Sequence, residues 1–218
     1  MKLQSLKPFE QIPYFTISGF KQTLGVEEAE AQRVREMLSR WIQAGHLLQL
    51  KRGVYMTRRF AELHRGDPAF APAVSAILLP QSYLSLEYVL QRSGVLTEVT
   101  YPITGVTAKH TRTIANSLGA FAYRHVKLSL YTGFTQENYL GLLFNQASVA
   151  KALFDYFYLR PLPRAARRRY LNLAEELRLN IEDFSDEAKQ EFGLYVEISR
   201  SPKMDFLLGN LQRTVWQH

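Results

Sequence analysis

"YFTISGFKQTLGVEEAEAQRVREMLSRWIQAGHLLQLKRGVYM", residues 14–56, holds two helix signals and a hairpin signal in close succession. Thr16 and Ser18 are N-cap candidates for a short helix carrying Phe20 and Leu24, and Gly25 supplies its stop. Val26 leads into a longer helix whose first turn holds Glu27, Glu28 and Glu30, favourable at the positive end of the helix dipole. Along that helix Val34, Met37, Leu38, Trp41 and Ile42 recur at helical spacing and form one apolar stripe. The opposite face carries Ala29, Gln32, Glu36, Ser39, Arg40 and Gln43, flanked by Arg33 and Arg35. Gly45 is a natural C-cap residue. Two β-prone runs follow, Leu47–Leu50 and Val54–Met56, joined across Lys51-Arg52-Gly53, where the glycine suits a positive φ.

Short helix, tight turn, longer helix and basic hairpin is the element order of a winged helix-turn-helix. In that arrangement the longer helix lies in the major groove of double-stranded DNA and the hairpin reaches a phosphate backbone. Gln32, Arg33, Arg35 and Arg40 would face the groove, and Lys51 and Arg52 the phosphates. A second reading stays open. Winged helices also bind proteins, an acidic helix start repels phosphate, and the arginines have Glu30 and Glu36 within helical pairing distance.

Thr57, Arg58 and Arg59 extend the basic stretch as a linker, and "ELHRGDP", residues 62–68, has the polarity, glycine and proline of a domain boundary. The expected organisation is therefore α+β in two domains. Residues 1–61 form the winged helix-turn-helix, and residues 68–218 a mixed domain with a small antiparallel sheet and several helices.

Composition narrows the chemistry. Lys and Arg total 27 against 20 Asp and Glu, a net charge of +7 that favours an anionic partner without naming one. The absence of cysteine excludes disulfides, thiolate metal sites and cysteine nucleophiles. His46, His64, His110, His125 and His218 are scattered, so no histidine metal site is expected. "MKLQSLKPFEQ" lacks the apolar core of a secretory signal, and no run approaches the roughly 20 apolar residues of a membrane helix. A soluble, cytoplasmic protein with no membrane association is expected.

Beyond residue 68, Phe70–Leu79 reads as an apolar helix ended by Pro80, and Ser85 as the cap of a second helix running to Gly94. "EVTYPITGVTAKHTRTI" and "GAFAYRHVKLSLYTGF" are strand-like. From Ala147 the period turns helical, with two helices separated by Pro161 and Pro163. The first is apolar nearly all round except for Lys151 and Asp155, an i,i+4 pair that reads either as a functional site or as a partly buried ion pair orienting the helix. Arg160, Arg164, Arg167, Arg168 and Arg169 form the densest basic cluster, either a grip for nucleic acid or an acidic surface, or a solvated helix start. Ser201 begins a final apolar helix.

No catalytic signature emerges. The chain has no nucleophile elbow, no phosphate-cradling glycine loop and no dinucleotide fingerprint. Its five aspartates (67, 155, 183, 186, 205) contain no close pair suited to magnesium, and Asp183 and Asp186 flank Phe184-Ser185 as at a helix cap. No enzyme activity, cofactor or metal is expected. The rival is a nucleic-acid enzyme acting through Lys151 and Asp155.

Taken in order, "LKRGVY", "PQSYLSLEYVLQRSGV", "ITGVT", "GAFAYRHV", "ASVAKALFDYFYL", "ELRLNIEDF" and "SPKMDFLLGNL" resemble the AbiEi family of bacterial antitoxins over nearly the whole chain. That resemblance implies a type IV toxin–antitoxin role: the N-terminal domain represses the shared promoter, and the C-terminal domain counteracts a nucleotidyltransferase-like toxin. It makes Lys151 and Asp155 family-typical but not catalytic; Arg164, Arg167 and Arg168 are further antitoxin-domain candidates on their charge density. The acidic Glu27–Glu30 start departs from the family pattern. A stand-alone regulator, or an interaction module without a toxin, is the alternative.

Overall fold

The computed structural model describes residues 3–25, 30–98, 101–161 and 172–217. The fold is α+β and divides into two compact units. The first runs through Pro80 and adds residues 114–120 and 138–143; the second holds the remainder. The polar stretch at 62–68 thus falls inside the first unit, not at its edge.

In the first unit, a 3-10 segment (Leu3–Phe9) precedes strand β1 (Phe15–Thr16), helix α1 (Ile17–Leu24), helix α2 (Ala31–Gln43) and the hairpin strands β2 (Leu47–Lys51) and β3 (Val54–Thr57). Thr16 is the cap of α1: its backbone is extended and its Oγ1 accepts from the Gly19 amide at 3.0 Å. Gly25 closes α1 at φ 62°. α2 starts later than its acidic run suggests, with Glu30 in the N-cap position and making no side-chain cap bond. Glu27 and Glu28 lie outside the described residues.

Gly45, at φ 76°, ends α2. Its amide donates to Ile42 O at 3.0 Å, and the His46 amide donates to Trp41 O at 2.9 Å. Those two bonds satisfy carbonyls the helix would otherwise leave open. The strands pair antiparallel in the order β1-β3-β2, with a bulge between Gln49 and Lys51. The α2 stripe closes on Phe9, Phe15, Phe20 and Tyr55, with Phe9 and Phe20 ring centroids 5.0 Å apart and the Trp41 ring edge-on to Phe20.

The basic stretch after β3 is not a linker. Thr57 caps helix α3 (Arg58–His64), its Oγ1 accepting from the Phe60 amide at 3.2 Å. Helix α4 (Phe70–Leu78) follows.

The remaining strands build a sheet larger than the two strand-like runs suggest. Strands β4 (Ser82–Leu84), β5 (Ile103–Thr107), β6 (Arg112–Asn116), β7 (Gly119–His125), β8 (Phe134–Tyr139) and β9 (Leu142–Ala147) form one sheet in the order β6-β7-β5-β4-β9-β8. It is mixed: β4 pairs antiparallel with β5 and parallel with β9, and β5 pairs parallel with β7. Around it are helices α5 (Glu87–Arg92), α6 (Val149–Leu159), α7 (Leu173–Glu176), α8 (Asp186–Ser199) and α9 (Pro202–Thr214). α6 is buried at every position from Ala150 to Phe157, which explains its all-round apolar sequence. Ser185, between the two aspartates, caps α8 by accepting from the Ala188 amide at 3.2 Å. Among the described residues, no helix is long and apolar enough to cross a membrane.

Candidate functional site

The α2 face opposite its buried stripe is polar and exposed. At about 100° per residue, Arg35, Ser39, Gln32, Gln43, Glu36, Arg40 and Arg33 fall in that order across one arc. All seven are exposed. Three are bonded along the helix itself: Arg33 to Glu30 at 3.3 Å, and Gln32 Nε2 to Glu36 Oε1 at 3.1 Å. Such exposed helix pairs are worth only a few tenths of a kcal/mol, so a stronger partner displaces them easily. Arg35 lies near enough to Tyr55 to favour its ionised form, against the larger effect of burial on that hydroxyl. Arg40 has no bonded partner among the described residues.

At the hairpin turn the two expected phosphate contacts part company. Arg52 is exposed and unpartnered among the described residues. Lys51, by contrast, donates its ammonium to Ile77 O at 2.8 Å and Leu78 O at 3.0 Å, the last carbonyls of α4. A cation is favourable there because those carbonyls carry the negative end of the helix dipole. Partial burial pulls the Lys51 ammonium below its usual value. Two of its three N–H donors are thereby engaged. Asn116 Nδ2 steadies the same strand, donating to Leu50 O at 3.1 Å.

Lys151 and Asp155 are both fully buried, and their ion pair is the centre of a polar cluster. Ser148 caps α6 through the Lys151 amide at 3.0 Å, which fixes the helix register that points both side chains at β4. Asp155 Oδ1 takes the Lys151 ammonium, while Oδ2 accepts from Tyr83 OH at 2.9 Å and Ser85 Oγ at 2.8 Å. The ammonium also donates to Tyr83 OH at 2.9 Å, and it sits 5.1–5.3 Å from the ring centres of Tyr83, Phe154 and Tyr195. Glu191 faces it from α8, accepting from Ser148 Oγ at 2.6 Å and Tyr195 OH at 2.8 Å.

Burial lowers the Lys151 ammonium and raises the Asp155 carboxyl, each against the pull of the other's charge. Burial, then the Asp155 charge, lifts Tyr83 far above the normal phenol range. The cluster is sealed from solvent and ties α6 to β4.

Ser85 is therefore not the cap of α5. Its hydroxyl serves Asp155, and Thr104 takes over the helix start, accepting from the Tyr88 amide at 3.0 Å and donating to Ser85 O at 2.8 Å. Between them Leu86 is held at φ 61°, ψ −142°, a conformation costing about 1–3 kcal/mol for a side chain with a Cβ. Tyr83, Ser85, Tyr195 and Glu191 carry no motif that reveals them; only the anomaly of two charges on an apolar helix pointed to such partners.

Arg160, at the end of α6, is paired with Glu87 and stacked on Tyr156 at 4.3 Å. Arg164, Arg167, Arg168 and Arg169 lie outside the described residues, as does most of the second helix expected after Pro163. Compared with known proteins, the chain matches no family model and no curated protein.

Proposed function

We propose that this protein is a winged helix-turn-helix DNA-binding regulator that represses its own promoter, with α2 in the major groove and the β2–β3 hairpin as the wing. The observation carrying this reading is the exposed arc of Gln32, Arg35, Arg40 and Gln43 on the reverse of a fully packed stripe, followed by the unpartnered Arg52 at the hairpin turn. Arginine and glutamine are the side chains that make bidentate bonds to guanine and adenine edges, and a free guanidinium at a wing is suited to a phosphate. Such a protein works in the cytoplasm, beside the DNA it controls. The resemblance to AbiEi antitoxins extends the proposal: the second unit counteracts a nucleotidyltransferase-like toxin, with the Lys151–Asp155 cluster shaping that unit and not reacting.

Fluorescence anisotropy with the duplex upstream of the protein's own gene, against a scrambled duplex, tests the DNA reading. Arg40→Ala should cut discrimination between the two by about 1–3 kcal/mol. Arg52→Ala should weaken both alike and lower the salt slope by about 0.9, the value of one phosphate contact. Wild-type protein that binds neither duplex at low salt sinks the proposal and leaves a protein-interaction module. Co-expression with the nucleotidyltransferase-like protein encoded alongside, where growth arrest persists, would sink the antitoxin part.

A further inference from the structure

The second unit contains an open cleft of about 390 Å³, within the size range of small-ligand sites. Its origin lies in strand alternation. Phe121 and Tyr123 of β7 point into the core, so Ala122 and Arg124 lie on the opposite face, in register with Thr104 and Val106 of β5. Over that face Leu86, Pro102 and Leu159 form apolar walls, and Tyr101, Arg124 and Arg160 line the rim.

Three observations mark the cleft as a built site. Tyr101 is 75 % exposed, an aromatic ring offered to solvent beside an apolar recess. Arg124 is an exposed cation with no bonded partner among the described residues, while Arg160 is held in place by Glu87 and by its stack on Tyr156. Leu86, in the wall, keeps its strained backbone because Ser85 is clamped on both sides, by Asp155 and by Thr104. Strain held in place by a saturated polar network is what preorganised ligand sites show.

We propose that this cleft binds a nucleoside phosphate, its phosphate on Arg124 with Arg160 alongside, and its base against Tyr101 and the apolar wall. An inorganic anion would leave the apolar walls unused. A flat protein surface would not need the recess. The buried Lys151–Asp155 cluster then has a purpose beyond stability: through Ser85 it fixes the wall on which the ligand rests.

Isothermal titration of the full chain with AMP and UMP, with inorganic phosphate as control, tests this. Arg124→Ala should weaken nucleotide binding at least about tenfold by removing a charge-assisted contact. Tyr101→Ala should weaken it roughly five- to a hundredfold, whereas Tyr101→Phe should bind as wild type, since stacking needs the ring and not the hydroxyl. Both residues are exposed, so the variants should fold, which circular dichroism checks. A 5′-phosphorylated trinucleotide separates the sources: tighter, Arg124-dependent binding identifies a strand end, and weaker binding a free nucleotide. No heat with either nucleotide at about 5 mM, where even a millimolar site would register, overturns the proposal. Phosphate binding as tightly as AMP, or Arg124→Ala binding unchanged, overturns it equally. Duplex DNA binding should be unaffected by Arg124→Ala, so this proposal and the promoter reading fail independently.

Discussion

Asp155→Ala isolates what the buried cluster contributes. The carboxylate takes the Lys151 ammonium on one oxygen and the Tyr83 and Ser85 hydroxyls on the other. Without it Lys151, at 0 % exposure, keeps only the Tyr83 hydroxyl and the charge of Glu191 across from it, and breaking a buried pair from one side costs about 3–5 kcal/mol. The lysine can escape only by losing its proton. From an ordinary value of 10.5, that costs about 5 kcal/mol at pH 7 and about 2 at pH 9, at 1.36 kcal/mol per unit. The unfolded variant then holds a proton that the folded variant lacks, so folding gains stability as pH rises toward 10.5. Urea unfolding should therefore show a penalty near the upper end of that range at pH 7, shrinking by almost 3 kcal/mol at pH 9. A Lys151→Met, Asp155→Leu double variant should be less destabilised than Asp155→Ala alone and lose this pH dependence. A penalty below about 1 kcal/mol at pH 7, or one equal at both pH values, would refute the account of a buried, uncompensated ammonium.

Lys51→Met should cost about 1–2 kcal/mol of stability, read by thermal or urea unfolding, because two charge-assisted bonds to the end of α4 are lost; the salt slope of duplex binding should not change. Gly133→Ala should destabilise by about 2–4 kcal/mol: Gly133 has φ 79°, and an added Cβ would collide with the Tyr195 hydroxyl and lie 2.9 Å from Lys151 Cγ. Absorbance titration at alkaline pH should find Tyr83 and Tyr195 un-ionised until the protein unfolds, since burial raises both. Their raised folded values mean stability fully present below pH 10 and lost as pH rises beyond it; early, complete ionisation of every tyrosine in folded protein would contradict the burial.

The first unit was the more legible because its signals are local. Thr16, Gly25, Gly45 and Gly53 each act on backbone within a few residues, and the Val34–Trp41 stripe declares its own buried face. The second unit hides its logic in distance. β4 is three residues long and buried throughout, so "SYLSLEYVL" shows no alternation and reads as the lead into a helix. Its neighbours β5 and β9 come from far along the chain, and parallel pairing leaves no turn signal. The Lys151–Asp155 pair was visible as an anomaly, but its partners lie about 70 residues away. The bonds of Lys51 were hidden for the same reason. Its carbonyls are 26 and 27 residues further on, and a lysine beside an arginine at a turn looks free.

Such long-range bonding by cations recurs in this chain, and it bears on how its charge is to be counted. Among the described residues, three helices end with a cation from elsewhere closing their carbonyls: Lys51 serves α4, Lys203 serves α6 through Phe157 O, Tyr158 O and Arg160 O, and Lys127 serves α8 through Ser199 O, while Arg58 holds Gly45 O just past the end of α2. A helix end leaves several carbonyls open, and an ammonium answers two or three of them at once. These cations spend donors on the fold, so the net +7 overstates the contacts the protein can offer a polyanion. For the proposed DNA contact, the first unit's unpartnered arginines are the ones that count. If Arg52 neutralises one phosphate while Arg35 and Arg40 read bases, the salt slope is about −0.9 per protomer. A slope near −6 would mean that the helix-closing lysines let go of their carbonyls on binding, and Lys51→Met would then reduce it.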